Sequence, residues 1–310
     1  MFKNVTIYRL PQGWSPSATE MEAALSKTRH VPCGATQEKS VGWVEPRGEE
    51  HGALMESVGG QRMLKLLIET KAVPVTLVRE KADAEAARIE LAQGRKPGKK
   101  EMKQLREDAL LALLPQAFPK KSGVWVWINL GDGLLVVDAS SQSKIDEVVT
   151  ALVQSFDGLV ISLVQTLMTP QTAMIRWLGS DSGDEGPEEF SVLRECELCS
   201  SDEEKAAVKF TRHNLEIEEV RRHIAQGKLP TRLALSWNDR VAFTLTESMQ
   251  IKGIKFLDGV FDGRSDEADA GFDADVALAT GELAQLIPAL VEALGGELVA
   301  GAPAGDGGDE

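Results

Sequence analysis

The sequence predicts an α+β protein, with mixed sheets, packed helices and one projecting helical hairpin. Three stretches carry that expectation. Between Val75 and Lys121, apolar residues recur at helical spacing in two runs separated by a turn. Val- and Trp-rich runs flank Gly131-Asp132-Gly133, a Gly/Asp turn of the kind that supplies positive φ to a tight β-connection. Three β-patterned runs between Leu229 and Leu257 precede a long helical pattern that starts at Asp275.

From the start of the chain, Val5–Leu10 combines Val, Ile and Tyr in an alternation that reads as a first strand. Ser15-Pro16-Ser17 opens a helix to about Lys27, with Ser17 and Glu20 at capping-box spacing and Met21, Ala24 and Leu25 on the buried side. Val41–Val44 and Met63–Ile68 read as strands separated by a polar, glycine-rich loop. The helical hairpin follows. Its first arm carries Leu77, Ala82, Ala86, Ile89 and Ala92 on one side and ends at Gly94. Arg95-Lys96-Pro97-Gly98-Lys99-Lys100 is the turn, and Met102, Leu105, Ala109, Leu110, Leu113 and Leu114 rebuild the stripe until Pro115.

Gly123–Asn129 and Leu134–Asp138 form a β-hairpin, followed by a helix over Ser143–Ser155 and a strand over Leu159–Val164. Thr169-Pro170 begins a short helix that ends near Leu178, and Gly179–Glu189 reads as an acidic linker. Beyond it, Glu189–Cys199 and Lys205–His213 suggest two strands. Asn214 caps a helix with Ile217, Val220, Arg221 and Ile224 at helical spacing, closed by Gly227. Leu229–Trp237, Arg240–Thr246 and Ile251–Leu257 form a meander. In the final helix, Asp275–Leu294, Pro288 should introduce a kink or a division. Gly301–Glu310 is Gly, Ala, Pro and acidic, the composition of a disordered tail. The expected organisation is a discontinuous central α+β unit over 1–74 and 122–179, a helical tip over 75–121, a C-terminal α+β unit over 180–299 and a tail over 300–310.

At 310 residues, with 43% hydrophobic and 26% charged content, the chain has the composition of a soluble globular protein. Its beginning lacks a long apolar core and a small-residue cleavage site, so a cytoplasmic location is expected. Three cysteines, Cys33, Cys196 and Cys199, cannot make a disulfide framework at this size. Cys196-Glu-Leu-Cys199 has the spacing of half a zinc site, with His30-Val-Pro-Cys33 as the other conceivable half, against the simpler reading of incidental thiols.

Charge is segregated along the chain, whose formal net charge is −14. Asp181–Glu204 holds ten acidic residues and one basic, and Asp258–Asp275 seven acidic and one basic. Arg88–Lys121 instead holds nine basic and four acidic, and Lys205–Arg232 seven basic and three acidic. These basic stretches are either a solvated face or a binding surface for nucleic acid. Without aromatic interleaving or a reading helix, they suit sequence-independent phosphate contact. Phe118, between Pro115 and Pro119 just past a helix end, either folds back under its own hairpin or projects into a partner.

No enzymatic constellation assembles. Gly131-Asp-Gly133 and Gly59-Gly60 lack the strand–glycine–helix context of a phosphate loop, and His30, His51, His213 and His223 pair with no nucleophile. The aspartates Asp258, Asp262, Asp266, Asp269, Asp273 and Asp275 lack calcium-loop spacing, and a metal-dependent nuclease built on them lacks its motif. No cofactor is expected.

Eight landmarks in order resemble the bacterial recombination-associated RdgC family over nearly the full length, about residues 2–297. They are Phe2-Lys-Asn4 with Tyr8-Arg-Leu10, Pro32-Cys-Gly34, Gly42-Trp-Val44, Leu113-Leu-Pro-Gln-Ala-Phe118, Leu233-Ala-Leu-Ser-Trp237, Phe272-Asp-Ala-Asp275, Thr280-Gly-Glu-Leu283 and Leu294-Gly-Gly-Glu297. The resemblance implies a homodimer of curved subunits that meet at both ends as a ring around double-stranded DNA. It also implies no enzymatic activity, a nucleoid association and limitation of RecA-mediated recombination. It further implies that Phe118, with Leu114 and Pro115, lies at the dimer interface. Arg95, Lys96, Lys99, Lys100, Lys209, Arg212, Lys228 and Arg232 occupy the family's basic, DNA-binding stretches, whereas Gln116 is neutral where the resemblance implies basic residues in some members. The alternative is a protein-interaction module that acts on recombination proteins directly.

Overall fold

Both halves of the molecule hang on one strand, β1, at Asn4–Arg9. The computed structural model describes residues 2–179, 188–202, 205–215, 218–257 and 268–298. Helix α1 (Ala18–Ser26) follows β1 behind the expected capping box: Ser17 Oγ accepts the Glu20 N–H at 3.2 Å, and the Glu20 carboxylate accepts the Ser17 N–H at 2.7 Å. Strand β2 (Lys39–Val44) falls near its expected place. Strand β3 (Met55–Val58) stands where the sequence reads as loop, and it turns into β4 (Gln61–Lys71) through Gly59 and Gly60, both at positive φ. Helices α2 (Val75–Gln93) and α3 (Lys99–Leu113) form the hairpin, with Gly94 in the left-handed conformation at the end of α2. A 3-10 turn over Leu114–Gln116 leads into β5 (Pro119–Asn129), which starts four residues before the expected Gly123 and pairs with β6 (Leu134–Val137). Ser141 caps α4 (Gln142–Ser155), the expected strand over Leu159–Val164 contracts to β7 (Ser162–Leu163), and α5 spans Pro170–Gly179.

In the second half, β8 (Phe190–Ser200), β9 (Ala207–Thr211), α6 (Glu218–Ala225), β10 (Lys228–Trp237), β11 (Val241–Thr246) and β12 (Ile251–Phe256) follow the expected order. Helix α7 (Ala268–Ala293) starts seven residues before the expected Asp275 and runs through Pro288 as one helix. Pro288 is exposed, so the ring that cannot donate to the preceding turn sits on the solvent side of the helix rather than in the core. By length and composition α7 could cross a membrane, but Val276, Leu283, Leu286, Ile287 and Leu290 are buried against the sheet, the pattern of a core helix. The greater part of the expected acidic linker, Asp258, Asp262 and Asp266, and the tail over 300–310 lie outside the described residues.

All the strands join in one sheet, ordered β2-β4-β5-β6-β1-β12-β11-β10-β8-β9, with β3 beside β4 and β7 beside β1. Every pair of named strands is antiparallel, which corrects the expectation of mixed sheets. Part of the reason lies in the connections: β3–β4, β5–β6, β8–β9, β10–β11 and β11–β12 are neighbours joined by short connections, which enforce antiparallel pairing, whereas parallel pairs need a long crossover. β1 is the seam, because Thr6–Arg9 pair with β6 while Asn4 and Val5 pair with Lys252 and Ile251 of β12.

The period of two along each strand divides the packing into two cores. On one face, Val5, Ile7, Trp127, Leu134 and Val136 join Leu233, Leu235, Phe243 and Leu245 in a core closed by α5, α6 and α7. On the other, Tyr8, Leu64, Leu66, Val126, Ile128 and Leu135 pack against Met21 and Leu25 of α1 and Ile145, Val148 and Leu152 of α4. This second core stops at β1. Beyond it, the same face of β8–β12 carries charged and small side chains in place of a core. Helix α5, although it precedes the linker, packs on β10, β11 and α6.

Candidate nucleic-acid interface

The hairpin places four of the expected basic residues at its turn. Helices α2 and α3 pack chiefly on one another, and between them bury only Ala82 and Ala109. The expected inward stripe of α2 is thus only partly covered: Ala82 is buried and Ala86 and Ile89 are half-buried, while Leu77 and Ala92 at its two ends, and the neighbouring Leu91, are exposed. Two helices that pack chiefly on each other cover one narrow seam, and small residues let them approach. At the turn, the Arg95 guanidinium donates to Glu101 at 2.7 and 3.2 Å, a hydrogen bond that holds the Glu101 carboxyl below its usual range. Lys96 Nζ lies 3.9 Å from Glu90. Lys99 and Lys100 are exposed and form no ion pair with a described residue.

The remaining four expected residues lie in or beside the strands of the second half. Lys209 of β9 stands opposite Glu197 of β8, which in turn stands opposite Arg232 of β10. Arg232 Nη1 is 3.7 Å from Glu197 Oε2. A recess of about 100 Å³ is lined by Lys209, Arg232, Glu195, Glu197, Cys196 and Thr244. It shares Glu195 and Thr244 with a groove of about 390 Å³ whose walls include Arg194, Arg212 and Lys255 over a floor of Ala234, Ala242 and Gly253. Lys228, half-buried at the start of β10, pairs with Ser200.

Sequence reasoning passed over Arg194, Lys252 and Lys255. None belongs to a run of like charge; strand pairing alone brings them to this face. Lys252, opposite Thr244 and half-buried, has its pKa pushed down first by burial and then by the Arg232 charge. It forms no ion pair with a described residue. Phe243 also lines this groove, but its ring is buried in the large core against Phe190, so the small floor between these cations admits a phosphate backbone and offers no exposed platform for stacking bases.

Phe118 does not fold back under the hairpin. It is 93% exposed, beside an apolar cleft of about 320 Å³ lined by Ala72, Val73, Pro74, Leu77, Leu113, Gln116 and Ala117. Pro115 is exposed as well, while Leu114 is fully buried and shapes the turn from beneath.

No metal centre assembles from the expected half-sites. Cys196 faces the large core, where burial pushes its thiol up to about 12, and Cys199 lies 3.7 Å from the Thr231 hydroxyl on another strand. Cys33 donates its backbone N–H to Glu69 at 3.0 Å, and burial is the main cause that pushes its thiol pKa up. Asp273 pairs with Arg47 at 2.6 Å. Among the described residues, no three His, Cys, Asp or Glu side chains are placed to hold a metal ion.

Comparison with known proteins gives a consistent family and two descriptions of its chemistry. The family model described as "Putative exonuclease, RdgC" matches residues 1–297. A protein of Herminiimonas arsenicoxydans is 45% identical over 299 residues, covering 96% of this chain and 98% of that protein. Proteins of Dechloromonas aromatica, 41% identical over 304 residues, and of Janthinobacterium sp., 43% identical over 300 residues, match with the same coverage. All three are named "Recombination-associated protein RdgC", a name that specifies no enzyme.

Proposed function

The chain belongs to the RdgC family of recombination-associated proteins, and from that premise we propose that it binds double-stranded DNA without sequence preference and without catalysis. In this reading, two subunits close as a ring around the duplex and thereby limit RecA-mediated recombination at the nucleoid. The observation that carries it is the face of β8–β12 that no helix covers, where Lys209 of β9, Arg212 just past it, Arg232 of β10 and Lys252 and Lys255 of β12 gather. Lys99 and Lys100 at the hairpin turn add a second cationic surface. A chain of net charge −14 repels DNA from its acidic surfaces, so attraction is expected where cations gather, as they do at these two places. Phe118 and its neighbouring cleft supply a projection and a receptacle on one subunit, which is what a two-fold contact requires.

The test is duplex affinity measured against salt. Counterion release makes log affinity fall linearly with log salt, by about 0.9 per phosphate neutralised. An affinity indifferent to salt overturns the reading. Incubation of linear duplex with the protein and magnesium tests the non-catalytic part: shortened DNA would establish the exonuclease named by the family description.

A second reading, direct action on recombination proteins, draws on a different surface. Leu163 and Leu298 are exposed and line a cleft of about 790 Å³ beside the Arg9–Glu297 ion pair. Co-precipitation with recombinase that survives nuclease treatment would favour it.

A further inference from the structure

The recess between Lys209 and Arg232 is lined by two carboxylates, Glu195 and Glu197, and we propose that Glu197, the one paired with Arg232, is an internal competitor for the phosphate this recess receives. The inference rests on the duplex-binding reading and concerns how that site is tuned. Glu197 occupies the middle of a three-strand row, with Lys209 opposite on β9 and Arg232 opposite on β10. Its side chain is 23% exposed, against 50% for Arg232, so the carboxylate is the more enclosed partner. The contact is loose: 3.7 Å, with no hydrogen bond between the two side chains, far from the bidentate geometry that locks an arginine to a carboxylate. Arg232 is held by charge and remains free to turn.

The size and chemistry of the recess select the ligand. About 100 Å³ accommodates one phosphate group and excludes a nucleobase with its sugar. The Thr244 hydroxyl adds a donor, and Lys252, beyond β11 on the same face, adds positive charge that no described carboxylate offsets. A phosphate entering here takes Arg232 from Glu197. The freed carboxylate must then attract a cation from solution, which partly cancels the counterions released from DNA. Glu197 therefore lowers both the affinity and the salt slope of the native protein, and keeps a non-specific binder weak enough to let go.

The test compares Glu197→Gln with Glu195→Gln, which removes the same charge from the same recess without touching the Arg232 ion pair. Binding of a fluorescent 30-base-pair duplex is measured from 50 to 300 mM salt. Glu197→Gln is expected to bind on the order of 5-fold tighter near 0.1 M salt, with a slope steeper by up to about 0.9. Glu195→Gln gains less and keeps the native slope. In an Arg232→Gln background the gain from Glu197→Gln disappears. Equal gains from the two glutamine variants, or a gain that persists without Arg232, would reduce Glu197 to background charge and overturn the proposal. Unchanged binding by Glu197→Gln, with native thermal unfolding, overturns it too. Failure of the unsubstituted protein to bind duplex at all would instead remove the functional reading beneath it.

Discussion

Lys121 and Glu69 stand opposite each other at the root of the helical hairpin, with Lys121 Nζ 3.8 Å from a Glu69 carboxylate that is only 2% exposed. The chain leaves the sheet for the hairpin just after Glu69 and returns just before Lys121, so this pair closes the base of the projection. The same carboxylate accepts the Cys33 N–H at 3.0 Å and faces His30 Nε2 at 3.6 Å. The Cys33 bond, with the charges of Lys121 and His30, holds the Glu69 pKa below its ordinary value of 4.5 against the opposing effect of burial. A carboxyl whose pKa is depressed on folding contributes stability that is present above its unfolded pKa and lost as pH falls through the folded one. Glu69→Gln should therefore cost about 1–3 kcal/mol at pH 7. In urea unfolding, the gap between the two proteins should narrow as pH drops below 4.5. A gap that stays constant into acid would detach Glu69 from this role.

Gly42 has no room for a side chain. A Cβ there would lie 2.4 Å from His30 Cα and 2.5 Å from His30 N, both backbone atoms that cannot turn aside. The close approach lets His30 N–H donate to Trp43 O at 2.9 Å and Trp43 N–H to Thr28 O at 3.0 Å, which lays the His30 segment across β2. Gly42→Ala should destabilise by about 1–3 kcal/mol, the usual cost of overpacking. It should also disturb the His30–Glu69 contact on the same side. Thermal unfolding within a degree of the native protein would contradict this.

These two sites show what the sequence could convey. Gly42-Trp43-Val44 is recognisable as a motif, but the reason for its glycine is a contact with His30, twelve positions away, that no local pattern encodes. The capping box at Ser17, the Gly94 stop and the Gly131-Asp132-Gly133 turn were legible because each depends on backbone geometry within a few residues. Strand β3 was not: Met55-Glu-Ser-Val58 is four residues long with two polar ones, and it becomes a strand through its pairing with β4. The single sheet was equally hidden, since the seam joins Asn4 to Lys252. For the candidate site, charge runs located the hairpin turn, Lys209 and Arg232, whereas Lys252 and Lys255 stand alone in sequence and reach the same face only by register.

Phe118→Ala separates assembly from folding. A side chain 93% exposed contributes little to the fold of its own subunit, so thermal stability of the monomer should change by no more than about 0.5 kcal/mol. If Phe118 enters a second subunit as an anchor, its loss should weaken the dimer by about 2 kcal/mol or more, roughly 30-fold in dissociation constant. Sedimentation velocity across a dilution series reads this directly. An unchanged monomer–dimer balance would remove Phe118 from the interface.

The four basic residues at the hairpin turn are not equivalent, and their difference can be measured. Arg95 and Lys96 already face Glu101 and Glu90, whereas Lys99 and Lys100 face solvent. Exposed ion pairs are worth roughly 0–1 kcal/mol, so a phosphate can displace either partner. Each displacement nonetheless leaves a carboxylate that recruits a cation and reduces the net release of ions. An unpaired lysine has no such offset. Replacement of Lys99 and Lys100 together by Gln should therefore flatten the salt dependence of duplex binding by up to about 1.8, two phosphates at about 0.9 each. Replacement of Arg95 and Lys96 by Gln removes the same formal charge but should flatten it less. The distinction lies in the slope rather than in affinity at one salt concentration, because both double variants lose the same charge and both bind more weakly. Equal slopes in the two would mean that the Glu90 and Glu101 contacts do not persist in solution. An unchanged slope in both would place the hairpin turn away from the DNA and leave the strand face as the whole of the interface.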